Sequence, residues 1–298
     1  MIDKKLWTKD QEIDFFTKSL EVASPEQLFY TTKDKKYYAY WPKNYKGTKT
    51  TLQSRNAFIG AYTEKWALEI LKDVAKELKA FAVEHVVCEE LELTQKSPAD
   101  VAICKTNSVI QKPQDIIAIF EVKMSVVWNW ELLKSNSKIA LNCLGDFKTH
   151  QGNPGLLRSD SMLKAIGKSI TVRISTLDSA KIPIIVLGNT PVAKSYYSKI
   201  DNLKNYGIIQ GFWSLNPAPL DNNGENVKAT KGKGFLRFDN YSDFKTRILA
   251  LLKEDMMFFA GMKSKNELGK FIEVSNKEET YEQKAEKFLK LMGEANGK

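Results

Sequence analysis

Residues 115–124, Asp-Ile-Ile-Ala-Ile-Phe-Glu-Val-Lys-Met, form a nearly continuous apolar run near the middle of the chain. Such a run predicts a central strand that is buried on both faces of a sheet. It carries an acid and a base, Glu121 and Lys123, two residues apart, and residues at that spacing in a strand project to the same side. Three interpretations fit this pair: a surface ion pair, a buried structural pair, or two members of a catalytic site.

The elements predicted around this run alternate between helices and strands. Apolar residues recur at helical spacing over 55–80, which predicts the first long helix, and a second helix is predicted over 160–171. Strands are predicted over 85–93, 99–106, 115–124 and 181–189. The order is therefore helix, three strands, helix, strand, which indicates an α/β fold of the mixed α+β kind.

Composition narrows the classes of protein that the chain could belong to. It has 298 residues, a formal net charge of +9, two histidines and three scattered cysteines. The positive charge is compatible with nucleic acid as partner, whereas neither a histidine-rich metal site nor a disulfide framework is expected. With no membrane-length apolar run, secretory leader or GxxxxGK[ST] phosphate loop, we expect a cytoplasmic protein that does not hydrolyse nucleotides.

Three acids and one lysine are the best candidates for a reactive site. Glu64 lies on the apolar stripe of the first helix, although it could equally cap the helix dipole at the exposed end of that stripe. If strands 99–106 and 115–124 pair as an antiparallel hairpin, Asp100 comes close to Glu121. Converging carboxylates repel each other and stay charged together only beside a cation, and hard oxygen ligands suit Mg²⁺. With Lys123 orienting or helping to deprotonate a water, this is the chemistry of phosphodiester hydrolysis.

These residues and their order resemble the PD-(D/E)xK nuclease superfamily in its restriction-endonuclease-like form. Ser-Pro-Ala-Asp, residues 97–100, is similar to the Pro-Asp half of the motif, and Glu-Val-Lys, residues 121–123, is similar to the (D/E)xK half. The αβββαβ core of that family matches the predicted order over about residues 56–189. The alanine between Pro98 and Asp100 departs from the pattern at a point where the family varies.

The resemblance implies a role for each of the four residues. Asp100 and Glu121 would be metal ligands, and Lys123 would handle the attacking water. Glu64 matches the acidic residue that many members carry on the first core helix, where it contributes to the metal site directly or through water. The implied cofactor is Mg²⁺, with Mn²⁺ as a substitute.

The resemblance also implies an organisation of the chain. A central mixed sheet flanked by helices would form the nuclease core over residues 56–190, with an insertion at about 125–158. Residues 1–55 would be an N-terminal extension. Residues 191–298 would be a C-terminal part, packed on the core, for DNA recognition or dimerisation.

The implied activity is hydrolysis of double-stranded DNA by a type II site-specific restriction endonuclease. Such enzymes commonly act as homodimers, because a two-fold protein matches a palindromic site. A repair, junction-resolving or transposon-end nuclease of the same fold stays open as an alternative. So does an inactive DNA-binding protein on the same scaffold.

Basic and polar residues beside the predicted site are candidates for DNA contact. Lys164 and Lys168 are one turn apart on the helix 160–171, off its expected apolar face of Met162, Ile166 and Ile170, and are flanked by Arg158 and Arg173. Phosphate contact is one interpretation, and an ordinary solvated helix face is the other. Gln151 and His150, in the preceding loop, could reach DNA or simply be loop residues.

Overall fold

The computed structural model describes residues 5–49, 51–135, 138–253 and 263–296 of the chain. It is a mixed α/β protein, 45% helical and 20% strand, with a mixed six-stranded sheet and helices. The helices are α1 Lys9–Leu20, α2 Pro25–Leu28, α3 Gln53–Glu77, α4 Ser159–Ser175, α5 Tyr197–Asn205, α6 Tyr241–Lys253, α7 Lys265–Ser275 and α8 Tyr281–Asn296. The strands are β1 Tyr30–Thr31, β2 Tyr37–Tyr38, β3 Phe81–Val86, β4 Ala99–Cys104, β5 Ile116–Val122, β6 Asn129–Ser135, β7 Lys138–Gly145, β8 Ile184–Gly188, β9 Gly211–Ser214 and β10 Phe235–Arg237.

The central strand predicted from the apolar run is confirmed as β5. It lies inside the six-stranded sheet, whose order is β10-β9-β8-β5-β4-β3. β5 pairs antiparallel with β4 and parallel with β8, and the parallel arrangement continues through β9 to β10. A strand inside such a sheet is covered on both faces, which is why its sequence does not alternate.

Alternate residues of β5 face two different layers of the core. Ala118, Phe120 and Val122 pack in one cluster with residues of α3, such as Leu71. Ile119 packs in another cluster, with Val172 of α4. Glu121 and Lys123 share the parity of Ile119, so they start from the α4 side of the sheet.

Helix α4 buries a different face from the one that sequence spacing predicts. Its buried residues include Met162, Ala165, Ser169 and Val172, whereas Ile170 is partly exposed. The predicted apolar face is therefore confirmed at Met162 and partly at Ile166, which packs against the core, but is wrong at Ile170. Tertiary packing selects the stripe, and the change brings Lys168, next to buried Ser169, to the edge of the sheet-facing surface.

The first predicted strand is also misplaced. β3 covers Phe81–Val86, and the chain then folds back within residues 85–93 instead of continuing as a strand. Cys88 and Leu93 exchange backbone hydrogen bonds of 2.8 and 3.1 Å, and Leu91 between them is buried. The apolar residues that suggested a strand are thus the buried side chains of a tight turn.

The segment 125–158 carries the hairpin of β6 and β7. Together with β1 and β2 it forms a second sheet of order β1-β2-β6-β7, so the N-terminal segment pairs with this insertion. The proposed division at residue 190 stays a prediction, although the main sheet takes strands from both sides of it. Within the described residues, no helix is both long and apolar enough to cross a membrane.

Candidate functional site

Asp100 and Glu121 meet on neighbouring strands, as the hairpin prediction required. The pairing of Val101 with Phe120 in the antiparallel β4–β5 ladder sets Asp100 opposite Glu121. The backbone N–H of Val122 donates to Asp100 Oδ2 at 2.7 Å, which fixes that carboxylate to the neighbouring strand. Both side chains are largely enclosed, with exposed fractions of 14% for Asp100 and 6% for Glu121.

Lys123 closes the same site from the end of β5. Its Nζ donates to Glu121 Oε1 at 2.5 Å and lies 3.4 Å from Asp100 Oδ2, while its backbone N–H donates to Leu187 of β8 at 2.7 Å. Burial lowers the pKa of Lys123, but the negative charges of Glu121 and Asp100 outweigh it and raise that pKa. The side chain is therefore an ammonium group here, able to donate hydrogen bonds and to balance negative charge.

Lys168 of α4 joins the carboxylates as a second ammonium group. Its Nζ lies 2.6 Å from Glu121 Oε2 and 3.2 Å from Asp100 Oδ1, and it donates to the carbonyl oxygen of Pro98 at 2.6 Å. Only 20% of the side chain is exposed, so it is not part of a solvated helix face. Lys168 can make this contact because Asp100 and Glu121 project toward the face of the sheet on which α4 packs.

Glu64 lies beside this group and contacts His85. Its Oε2 is 3.0 Å from His85 Nε2. Burial is the main cause of its raised pKa, and the charge of Asp100 raises it further, while His85 and Lys123 act in the opposite direction. The charges of Asp100 and Lys123 thus affect the pKa of Glu64, although Glu64 belongs to α3, which packs on the face of the sheet opposite to α4.

His85 forms a small ligand-like group with two glutamates. Donor atoms of Glu64, Glu84 and His85 lie within 4.8 Å of one another, in the part of the chain that the structure describes. The β3–β4 register sets His85 opposite Asp100, and its φ is +54°, in the left-handed region that costs a non-glycine residue energy. No pattern in the sequence marks this conformation.

An asparagine fixes the backbone just after Lys123. Asn189, the first residue beyond β8, accepts from Ser125 N–H at 3.1 Å and donates to Ser125 C=O at 2.7 Å. Asn216 in turn donates to the carbonyl oxygen of Asn189 at 3.1 Å. Asn189 therefore fixes both backbone groups of Ser125, two residues after Lys123, and Asn216 fixes Asn189. Sequence analysis did not assign this role to either asparagine.

The other residues considered for DNA contact lie in varied surroundings. Lys164 is exposed on α4, and the exposed guanidinium of Arg158 makes a bidentate pair with Asp160 at 2.9 and 2.7 Å. Gln151 donates to the backbone carbonyls of residues 42, 43 and 45 at 2.8, 3.0 and 2.8 Å, so its amide nitrogen is occupied by the N-terminal segment.

Two of the flanking residues are too deeply buried for phosphate contact in this structure. Arg173 is buried and donates to the carbonyl oxygens of Ser179 and Ile208. His150 is buried and stacked on Tyr40 with ring centroids 3.9 Å apart, and burial lowers its pKa to about 4, so it is neutral.

The donor set at Asp100 and Glu121 fits a hard divalent cation. Four carboxylate oxygens converge, each of them beside an ammonium nitrogen. Oxygen donors of this kind suit Mg²⁺ and Mn²⁺.

Searches of family models, curated proteins and solved structures found no significant match to the chain.

Proposed function

We propose that this protein is a Mg²⁺-dependent endodeoxyribonuclease of the PD-(D/E)xK type, acting as a type II restriction endonuclease. The observation that carries the proposal is the convergence of Asp100, Glu121 and Lys123 on paired strands. The sequence motif predicts these three residues, and the β4–β5 register brings them within hydrogen-bonding range. A lone acid-x-lysine triplet would carry no such weight.

The order of elements supports the same class of protein. Helix α3 precedes three antiparallel strands, β3 to β5, and α4 then leads to β8, which is parallel to β5. With β6 and β7 counted as an insertion, this order agrees with the αβββαβ core that the resemblance implies, which supports the proposal. Asp100 lies near the start of β4 and Glu121 near the end of β5, so the two largely enclosed carboxylates meet at the same end of this strand pair.

The chemistry divides among the side chains. When bound at Asp100 and Glu121, with Glu64 nearby, Mg²⁺ would polarise the scissile phosphate and lower the pKa of the attacking water. The Lys123 ammonium would orient that water through its hydrogen bonds and balance the negative charge that develops at phosphorus. Val122 N–H holds the Asp100 carboxylate still during this step, and the Asn189 contact holds the chain after Lys123.

The net charge of +9 supports double-stranded DNA as substrate. A homodimer would place two such sites across a palindromic sequence and cut both strands. Exposed Lys164 supplies positive charge on α4, one turn before Lys168, whereas the charge of Arg158 is paired with Asp160. A cytoplasmic location completes the proposal, since a restriction enzyme acts on DNA inside the cell.

Incubation of the purified protein with plasmid and phage DNA tests the proposal directly. We expect discrete fragments with MgCl₂ or MnCl₂, none with EDTA, and none from Asp100→Asn with either metal. Absence of cleavage by the native protein across varied DNA in both metals would contradict the proposal. Preferential cleavage of flaps, junctions or transposon ends over linear duplex would instead identify a repair, junction-resolving or transposon-end nuclease.

One observation favours the alternative of an inactive DNA-binding protein on this scaffold. Lys123 and Lys168 together pair all four oxygens of Asp100 and Glu121, as a purely structural ion network would. Such a protein would bind duplex DNA in gel-shift assays but would bind no Mn²⁺ at this network. Cleavage that depends on Asp100 would exclude it.

A further inference from the structure

The four carboxylate oxygens of the site are shared between two lysines in a regular way. Lys123 Nζ faces Glu121 Oε1 and Asp100 Oδ2, at 2.5 and 3.4 Å. Lys168 Nζ faces Glu121 Oε2 and Asp100 Oδ1, at 2.6 and 3.2 Å. Each ammonium group therefore bridges one oxygen from each carboxylate, which is also what a divalent cation bound by both residues would do.

The two oxygen pairs are not equivalent. Asp100 Oδ2, on the Lys123 side, also accepts the Val122 N–H at 2.7 Å, so that pair is anchored to the backbone of β5. The Lys168 side receives its contacts from a single flexible side chain of α4, whose further partner is the Pro98 carbonyl oxygen. Lys168 can withdraw by rotating its own side chain, without any movement of the sheet.

A divalent cation and the Lys168 ammonium group cannot both occupy this position. Mg²⁺ takes its oxygen ligands at about 2.1 Å, so a cation on Oδ1 and Oε2 would stand almost where Nζ now lies. The positive charges would also repel strongly in a site so little exposed to water.

We infer that Lys168 is the resident counter-ion of the metal position and is displaced when the metal binds. It is a positioning residue: it holds the carboxylates of Asp100 and Glu121 together between binding events, and it sets how much metal is needed to load the site. The inference rests on the metal site of the proposed function, and it adds that this site is always occupied by one cation or another.

Metal binding measured without DNA tests the displacement. Mn²⁺ is titrated into native protein, Lys168→Met and Lys181→Met, and free Mn²⁺ is followed by its electron paramagnetic resonance signal. Lys168→Met keeps most of the side-chain volume and removes the competing charge, so we expect at least about tenfold tighter Mn²⁺ binding. Lys181→Met, which removes an equal charge from an exposed lysine beyond α4, is the control, and should stay within about twofold of native.

Thermal unfolding of the same proteins supplies a second readout. Without metal, Lys168→Met leaves two carboxylates less well compensated, so its midpoint should fall below that of native protein and recover when Mn²⁺ is added. Unchanged Mn²⁺ affinity in Lys168→Met, with binding still lost in Asp100→Asn, would overturn the displacement but leave the metal site intact. Absence of Mn²⁺ binding in native protein and in Lys168→Met alike would overturn both proposals.

If Lys168→Met does not fold, the native protein can be tested directly. The side-chain ¹³Cε resonance of Lys168, assigned by its absence from a folded Lys168→Arg variant, is followed during titration with MgCl₂. We expect a change that saturates with Mg²⁺, as the ammonium group leaves Asp100 and Glu121. Calorimetry measures Mg²⁺ binding in parallel. If Mg²⁺ binding saturates and the resonance stays constant, displacement is contradicted. Displacement is likewise contradicted if the protein binds no Mg²⁺ at all.

Discussion

Two buried carboxylate sites in this protein are stabilised by opposite means. In the sheet-edge site, which lies where β4 begins and β5 ends, Asp100 and Glu121 are compensated by the ammonium groups of Lys123 and Lys168. On helix α1, Glu12 is completely buried and forms no ion pair with any residue that the structure describes; four N–H groups donate to it instead.

The donors to Glu12 come from the N-terminal segment, from the chain between β5 and β6, and from β6 itself. Indole N–H groups of Trp7 and Trp130 lie 3.2 and 2.8 Å from its oxygens, and backbone N–H groups of Val127 and Trp128 lie 2.5 and 3.2 Å away. Burial raises the pKa of Glu12 to about 7, although each of these bonds acts to lower it. Fixed dipoles therefore compensate the charge only in part.

The difference separates a site that can exchange its partner from one that cannot. Lysine side chains are long and replaceable by another cation, whereas N–H donors built into a backbone and into packed indoles stay where the fold holds them. Asp100 and Glu121 are thus suited to binding and chemistry. Glu12 is suited to joining α1 to the β5–β6 segment.

The largest expected effect is on cleavage by the sheet-edge site. We expect Asp100→Asn and Lys123→Met each to lower cleavage by about a thousandfold under the proposed function, because each removes a charge at the reacting phosphate. Asparagine can still accept the Val122 N–H, and methionine keeps the packing of the lysine stem. Initial rates on supercoiled plasmid measure the loss, and circular dichroism verifies the fold.

The control for these variants is Asp178→Asn, at an exposed aspartate after α4. It should cleave at the native rate. A near-native rate for Asp100→Asn or for Lys123→Met would remove that residue from the site.

Next in size is the stability effect of the buried carboxylate. Glu12→Ala leaves four buried N–H groups without an acceptor, so we expect the free energy of unfolding to fall by about 3 kcal/mol. Glu21→Ala, at an exposed position just after α1, should change it by less than about 0.5 kcal/mol. Urea denaturation measures both; equal, small losses would show that the Glu12 contacts contribute little.

The raised pKa of Glu12 makes stability depend on pH in a defined direction. Between the ordinary value of 4.5 and the folded value of about 7, the folded state binds the extra proton, so this group stabilises the protein at low pH and loses that effect as pH rises through 7. The free energy of unfolding of native protein, relative to Glu12→Gln, should fall by about 2 kcal/mol from pH 5 to pH 8.

The subtraction of Glu12→Gln is needed because His150 acts in the opposite direction. Its pKa is lowered to about 4 in the fold, so its contribution is present above pH 6.5 and is lost as pH falls toward 4. A difference between native and Glu12→Gln that does not vary over pH 5 to 8 would show that Glu12 titrates normally.

The smallest expected effect concerns Gln151, which was predicted to contact DNA. Because its amide nitrogen donates to three carbonyls of the N-terminal segment, we expect Gln151→Ala to lower the free energy of unfolding by about 1 kcal/mol. As a tether it should leave DNA affinity in a gel-shift assay unchanged. A stable variant with weakened DNA binding would restore the sequence-based assignment.

Much of the sheet-edge site follows from local patterns in the sequence. The apolar run of β5 predicts a central strand, and strand periodicity puts Glu121 and Lys123 on one side. Asp100 and Glu121 belong to consecutive strands, and an antiparallel pair of that kind brings the start of one strand to the end of the next. Their proximity was therefore predicted on the condition that the strands pair antiparallel, and the structure confirms that pairing; the register itself was not predictable from the sequence.

Contacts between distant segments were not predictable in this way. Lys168 reaches Asp100 from 68 residues further along the chain, and its place depends on which stripe of α4 packs on the sheet. Spacing alone suggested a stripe of Met162, Ile166 and Ile170, with Lys168 off that stripe and either in contact with phosphate or solvated. The left-handed backbone of His85 was equally not marked by any pattern in the sequence.

The sequence by itself determined the central strand, the order of elements over β4, β5, α4 and β8, and the identity of the acid–acid–lysine group. Tertiary structure alone decided that Lys168 is the fourth member of that group, that Glu64 contacts His85, and that Glu12 holds the N-terminal helix to the chain after β5. The physical reason is range: periodicity and hairpin register act over a few residues. The partner of a buried charge is whichever group the packing of distant elements delivers.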